Sequence, residues 1–203
     1  QYPANFVNKR LSGGGAVIDM STYKLAQMLY LAGNPRPSRV SGRIFQEKAM
    51  DEKLRQKSGY DVEELGMGFI NFENGMLLDM VEAWAIDMDG LGGDFLVGSE
   101  GGVRLTPAFR YISTIEDMEA VTNVDLEEYE RRRHGVDPLA YAYDSPQKHW
   151  VAALRGDAEL IPSAQIALHC ALIQEAVYLS AARGCEVDCR EVAEQSASKA
   201  VRL

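Results

Sequence analysis

Asp19 and Tyr23 lie four residues apart behind three glycines, in the stretch Gly13-Gly14-Gly15-Ala16-Val17-Ile18-Asp19-Met20-Ser21-Thr22-Tyr23. On a helix that spacing puts both side chains on one face, with about 5 to 6 Å between Cβ atoms. A carboxylate and a phenol side by side support proton chemistry on a small polar substrate. A phenol ordinarily keeps its proton at neutral pH and is suited to donate it, whereas a carboxylate accepts from hydroxyl groups. The glycines ahead of the pair allow another group to approach the backbone closely. Each residue also has a plain structural reading. An acid in a first turn is stabilised by the helix dipole, and a helical tyrosine often buries its ring and wets its hydroxyl.

The elements that must hold this pair follow from periodicity. Leu25, Met28, Leu29 and Ala32 predict a helix over 19–32, stopped by Gly33 and Pro35. Residues 40–50 read as a strand, 51–58 as a polar, lysine-rich excursion, and 62–72 and 76–86 as two long strands. Asn74-Gly75 between them predicts a type I′ turn, which would pair Phe72 with Leu77, Phe69 with Met80 and Leu65 with Trp84. Short strands are expected at 95–98 and 103–106, with one or two more over 109–124. The charged run 126–137, including Arg131-Arg132-Arg133-His134, reads as a solvated helix face. Helices are expected at 146–155, capped by Ser145, and at 163–183, with Ile166, Cys170, Ile173, Val177 and Ala181 on one stripe.

Helices clustered around a run of strands, with few β-helix-β alternations, indicate an α+β fold. The 203 residues suffice for one domain with a proper core, drawn here as 12–190 with 191–203 as a frayed tail. A net charge of −9 argues against nucleic-acid or anionic-membrane surfaces. No apolar run reaches the roughly 20 residues that span a bilayer, so a soluble protein is expected. Cys170, Cys185 and Cys189 cannot all pair within the chain. Cys185 and Cys189 lack the partners of a zinc site, and reduced thiols suit a cytoplasmic location. His149 and His169 are single histidines read as structural residues, and Arg43, Glu82 and Trp84 lie on strands able to face a substrate or a second subunit.

The glycine-rich opening resembles that of the C-terminal domain of the glucose-fructose oxidoreductase / inositol dehydrogenase / MocA family of nicotinamide-dependent oxidoreductases. There three glycines and a few apolar residues precede Asp-x-Gly-x-His, with Tyr replacing His in one branch; here Asp19 and Tyr23 fill the acid and phenol positions, and Ser21 stands where Gly is usual. The order continues through Gly33-Asn34-Pro35, Phe72-Glu73-Asn74-Gly75-Met76, Val97 to Leu105, and a closing helix running into Arg183-Gly184.

The resemblance implies a large open, mostly antiparallel β-sheet with helices packed on one face, the other face meeting a neighbouring subunit in a homodimer or homotetramer. It implies an NAD- or NADP-dependent enzyme acting on a sugar, polyol or related hydroxy/oxo compound, with Tyr23 as proton donor and Asp19 holding a substrate hydroxyl or orienting Tyr23. No G-x-G-x-x-G unit and no Glu-Lys-Pro motif occurs in the chain, and it does not start with Met. The expectation is therefore a fragment, with the cofactor bound mainly by an N-terminal Rossmann domain and not by this chain. The alternative is a non-catalytic ligand-binding or scaffold domain that keeps the fold, with Ser21 as a sign of drift.

Overall fold

A computed structural model describes residues 4–49 and 51–196. In chain order the elements are α1 (Ala4–Val7), α2 (Lys9–Ser12), α3 (Ala16–Leu31), β1 (Pro37–Phe45), α4 (Glu52–Ser58), β2 (Leu65–Phe72) and β3 (Leu77–Ala83). There follow β4 (Phe95–Gly98), β5 (Gly101–Arg104), β6 (Arg110–Ile115), β7 (Met118–Asn123), α5 (Leu126–Val136), a 3-10 turn (Ala140–Tyr143), α6 (Pro146–Arg155), α7 (Ser163–Arg183), β8 (Val187–Asp188) and α8 (Cys189–Glu194). The fold is α+β with open antiparallel sheets. Its strands divide between two four-stranded sheets, and the chain divides into two compact units, 1–88 with 163–203, and 89–162.

In the first unit the sheet order is β3-β2-β1-β8, and α3 and α7 cover one face. That face offers Val40, Gly42, Gly66, Gly68, Ile70 and Met80, all buried. The glycines are a packing requirement, because a Cβ on Gly66 would fall on Val17 and one on Gly42 on the backbone of Val177. Leu25 and Leu29 of α3 and Ile173 and Val177 of α7 complete the core. Gly42 N donates to Ser180 Oγ at 2.8 Å, tying α7 to β1 directly. On the other face Arg43, Phe45, Met67, Phe69 and Asp79 are exposed around a depression of about 580 Å³, which Gly184, Cys185 and Glu186 also line.

The long hairpin differs from its sequence reading by one residue. Phe72 N donates to Met76 O at 3.0 Å, so the loop is Glu73-Asn74-Gly75, with only Gly75 at positive φ. Asn74 Oδ1 accepts from Met76 N instead of visiting the left-handed region. The three-residue loop pairs Phe69 with Asp79, Gly68 with Met80 and Leu65 with Ala83. A one-residue slip exchanges the two faces of a strand. Met80 therefore lies under the helices, Phe69 shares the open face with Val81, and Trp84 moves to the helix side, its N–H donating to Glu64 O at 2.8 Å.

The second unit carries the meander β4-β5-β6-β7. A type I′-like two-residue turn does occur here, at Glu116-Asp117, where both residues have positive φ (49° and 63°) and Ile115 faces Met118. Helix α5 is solvated as expected, its Arg131 and Arg132 paired with Glu128. Ser145 caps α6 by accepting from Lys148 N at 3.2 Å.

Several boundaries move. The first long helix begins at Ala16, the strand expected over 40–50 runs from Pro37 to Phe45, and the lysine-rich excursion is the helix α4. On α7 the buried stripe includes Ile166, Cys170, Ile173 and Val177, while Ala181 is half-buried beside a fully buried Ser180. Residues 189–194 form a helix with Cys189 and Val192 buried, so this part of the expected tail is ordered packing; 197–203 lie outside the described residues. No helix among the described residues is long and apolar enough to cross a membrane.

Candidate active site

The three glycines serve three separate needs. Gly13 closes α2 in the left-handed conformation (φ 87°). A Cβ on Gly14 would meet the Tyr178 hydroxyl, and one on Gly15 the Glu63 carbonyl. Gly15 is also the N-cap of α3 and has no side chain to satisfy the first-turn amides. Glu63 does so from outside the helix. Its carboxylate accepts from Gly15 N on both oxygens and from Val17 N on Oε1, each at 3.0 Å, and from the Tyr178 hydroxyl at 2.7 Å. The group that approaches this helix start is thus a buried carboxylate of the chain itself, placed where the dipole is positive. Burial, and then the bond to Glu63, pushes the Tyr178 phenol well above the ordinary tyrosine range.

Asp19 is not the helix cap. It lies in the first turn of α3, half-buried, and its Oδ2 accepts from Trp84 Nε1 at 3.0 Å. Tyr23 follows one turn later with 72% of its surface exposed, so its hydroxyl is open to solvent and to any ligand over this face. Trp84, read from the sequence as able to face a substrate or a second subunit, is the residue that meets Asp19, from 65 residues away; nothing local in the sequence links the two.

Ser21, the departure from the family pattern, points away from the pair into the α3–α7 interface. It is fully buried, donates to Val17 O at 2.6 Å and accepts from Gln174 Nε2 at 3.0 Å. Gln174 also donates to Thr22 Oγ1 at 2.8 Å and reaches the carbonyls of Val17 and Ile18. Four oxygens around one amide nitrogen settle its orientation and fix the rotation of α3 against α7, so the extra hydroxyl is absorbed by packing on the far side from Asp19.

The remaining polar candidates have structural partners. His149 is buried, with Nδ1 against Ala142 O at 3.2 Å and Nε2 accepting from Ile161 N at 3.0 Å. Burial, with Arg36 nearby, lowers the pKa of His169, whose Nδ1 meets Asn34 Oδ1 at 2.9 Å. Cys185 is exposed while Cys170 and Cys189 are buried, and all three are free thiols. Among the described residues, the grouping with metal-ligand reach is Glu130, His134 and Asp144; it is exposed, and Asp144 is held by His134 at 2.9 Å and Lys148 at 2.6 Å.

An open antiparallel sheet backed by two helices, with an acid and a phenol on the first of them, is an α+β arrangement. The chain belongs to the Gfo/Idh/MocA oxidoreductase family: residues 3–188 match its C-terminal alpha/beta domain. It is similar to D-glucoside 3-dehydrogenase of Escherichia coli (strain K12), 29% identical over 136 residues, which are 64% of this chain and 38% of that protein. Among solved structures it resembles levoglucosan dehydrogenase in complex with NADH (TM-score 0.67, 20% identity, 93% of this chain and 53% of that one). It also resembles an oxidoreductase from Agrobacterium radiobacter in complex with NAD+, L-tartaric acid and magnesium (TM-score 0.59, 19% identity, 88% and 50%). The chain therefore spans 38% of the curated relative and about half of these solved proteins.

Proposed function

We propose that this domain forms the substrate side of an NAD(P)-dependent oxidoreductase acting on a sugar, polyol or related hydroxy/oxo compound. The observation that carries the reading is Asp19 held by Trp84 one turn from the solvent-open Tyr23. The sugar-directed names of two relatives support the substrate class. In carbonyl reduction Tyr23 donates a proton to the reacting oxygen as hydride arrives from the nicotinamide. In alcohol oxidation hydride leaves to the nicotinamide and the hydroxyl proton passes back through the Tyr23 hydroxyl to solvent. In both directions Asp19 accepts a bond from a neighbouring substrate hydroxyl.

The glycine-rich start of α3, a place where a pyrophosphate could bind, is filled by the Glu63 carboxylate, which supports seating the cofactor elsewhere. The cofactor is assigned to a segment outside this chain, which agrees with its spanning about half of the NAD-complexed relatives. The uncovered sheet face, apolar through Phe45, Met67 and Phe69, is assigned to self-association as a homodimer or homotetramer. The three free thiols fit a cytoplasmic location.

The test is a turnover assay of the complete gene product with NAD+ and NADP+ against methyl β-D-glucopyranoside, levoglucosan and myo-inositol. Reduction of the nicotinamide with at least one of these is expected, and Tyr23→Phe should abolish most of it. A complete protein that binds cofactor yet oxidises none of them would sink the reading.

A further inference from the structure

We infer that Trp84 is the positioning residue of the site: its indole N–H orients the Asp19 carboxylate toward the substrate. The inference rests on the proposed role of Asp19. Trp84 lies immediately after β3, and both its backbone and its side chain are tied. Its N–H donates to Glu64 O at 2.8 Å, and its Nε1–H donates to Asp19 Oδ2 at 3.0 Å. Glu64 adjoins Glu63, whose carboxylate holds Gly15 and Val17 at the start of α3. Two consecutive residues thus fix both ends of the Trp84–Asp19 bond, one through the helix start and the other through the strand.

A carboxylate free to turn about its χ2 angle presents either oxygen in a broad range of directions. Binding Oδ2 to a ring that is itself held by the sheet removes that freedom and leaves Oδ1 as the acceptor for a substrate hydroxyl. Tyr23, one turn along the same helix, starts from a Cβ about 5 to 6 Å from that of Asp19. Preorganisation of this kind acts on the ordering cost of the bound state, so its loss falls on productive orientation as well as on affinity.

Two measurements test it. The chain has two tryptophans, Trp84 and Trp150, so its nitrogen-15 spectrum carries two indole resonances, assigned through Trp150→Phe. Asp19→Asn should move the Trp84 indole proton upfield and leave that of Trp150 in place; an unmoved Trp84 resonance overturns the inference without any substrate. In the complete gene product, with methyl β-D-glucopyranoside as probe, Trp84→Phe should lower kcat/KM about tenfold or more, the scale of a lost hydrogen bond to a charged group, with part of the loss in kcat. In an Asp19→Asn background the same change should cost less than threefold, because its partner is already weakened. An impaired Asp19→Asn enzyme whose Trp84→Phe counterpart matches the wild type, or equal losses in both backgrounds, refutes the positioning role alone. A fully active Asp19→Asn enzyme refutes the functional reading instead.

Discussion

The Glu63 carboxylate closes on the backbone of Gly15 from 48 residues away, replacing the cap that a glycine cannot supply. Removing it would leave the Gly15 and Val17 amides and the Tyr178 hydroxyl without their buried acceptor. Glu63→Ala should therefore cost about 3 kcal/mol or more, and Glu63→Gln less, since an amide oxygen still accepts. Gly15→Ala should be at least as damaging, because its Cβ would fall on the Glu63 carbonyl, whereas Gly13→Ala, with open space around it, should cost only about 1 kcal/mol of backbone strain. Urea unfolding of the four variants measures this; a Glu63→Ala protein as stable as wild type would refute the capping role.

The register of the β2–β3 hairpin separates core from surface. Phe69→Arg, on the open face, should leave the fold intact and convert any oligomer to monomer. Met80→Arg, one residue along the opposing strand, should unfold the protein, because it puts a charge beneath α3 and α7. Circular dichroism and light scattering distinguish the two. An unmodified chain that stays monomeric at high concentration would remove the open face as an association surface.

That hairpin also marks where sequence reading stops. That Asp19 and Tyr23 share one helix was legible because the spacing is local and the apolar period announces the helix. Asn74-Gly75 announced a turn, but loop length is decided by which backbone pair closes it, and closure at Phe72 and Met76 exchanged the faces of β3 relative to β2. The contact of Trp84 with Asp19 spans 65 residues and leaves no local signal. Helix α4 was missed for a different reason: Asp51 caps it and Gly59 ends it, yet none of its residues is buried, so it has no apolar stripe to read. The acceptor role of Glu63 depends on contacts almost fifty residues apart and leaves no periodic trace.

The thiols give a pH dependence with a definite sign. Burial, and then Asp188, pushes the Cys189 thiol up to about 11, and burial raises Cys170 as well. A group whose folded pKa lies above its unfolded value, near 8.5 for cysteine, stabilises the fold below the unfolded value and loses that contribution as pH climbs through the folded one. Stability should thus fall between roughly pH 9 and 11, and Cys189→Ala should flatten that decline. Iodoacetamide at mildly alkaline pH should label the exposed Cys185 well before Cys170 or Cys189, because the thiolate is the nucleophile. Mass spectrometry showing equal labelling of all three would contradict the packing of α7 and α8.

Tyr23 offers the sharpest separation of function from stability. With 72% of its surface exposed on α3, loss of its hydroxyl removes no buried contact, so Tyr23→Phe should shift stability by less than about 0.5 kcal/mol. If the hydroxyl passes the proton, turnover by the complete gene product should nevertheless fall by roughly 10² to 10⁴, the usual loss when a general acid is removed. Asp19→Asn should act differently, because it retains the position of the side chain but weakens both the acceptor for Trp84 and that for a substrate hydroxyl. A raised KM with a smaller loss in kcat is expected, with cofactor affinity unchanged. Steady-state kinetics on both variants, with a solvent or substrate isotope effect showing that chemistry limits the rate, decides the matter: near-normal turnover in Tyr23→Phe would pass the proton to another residue.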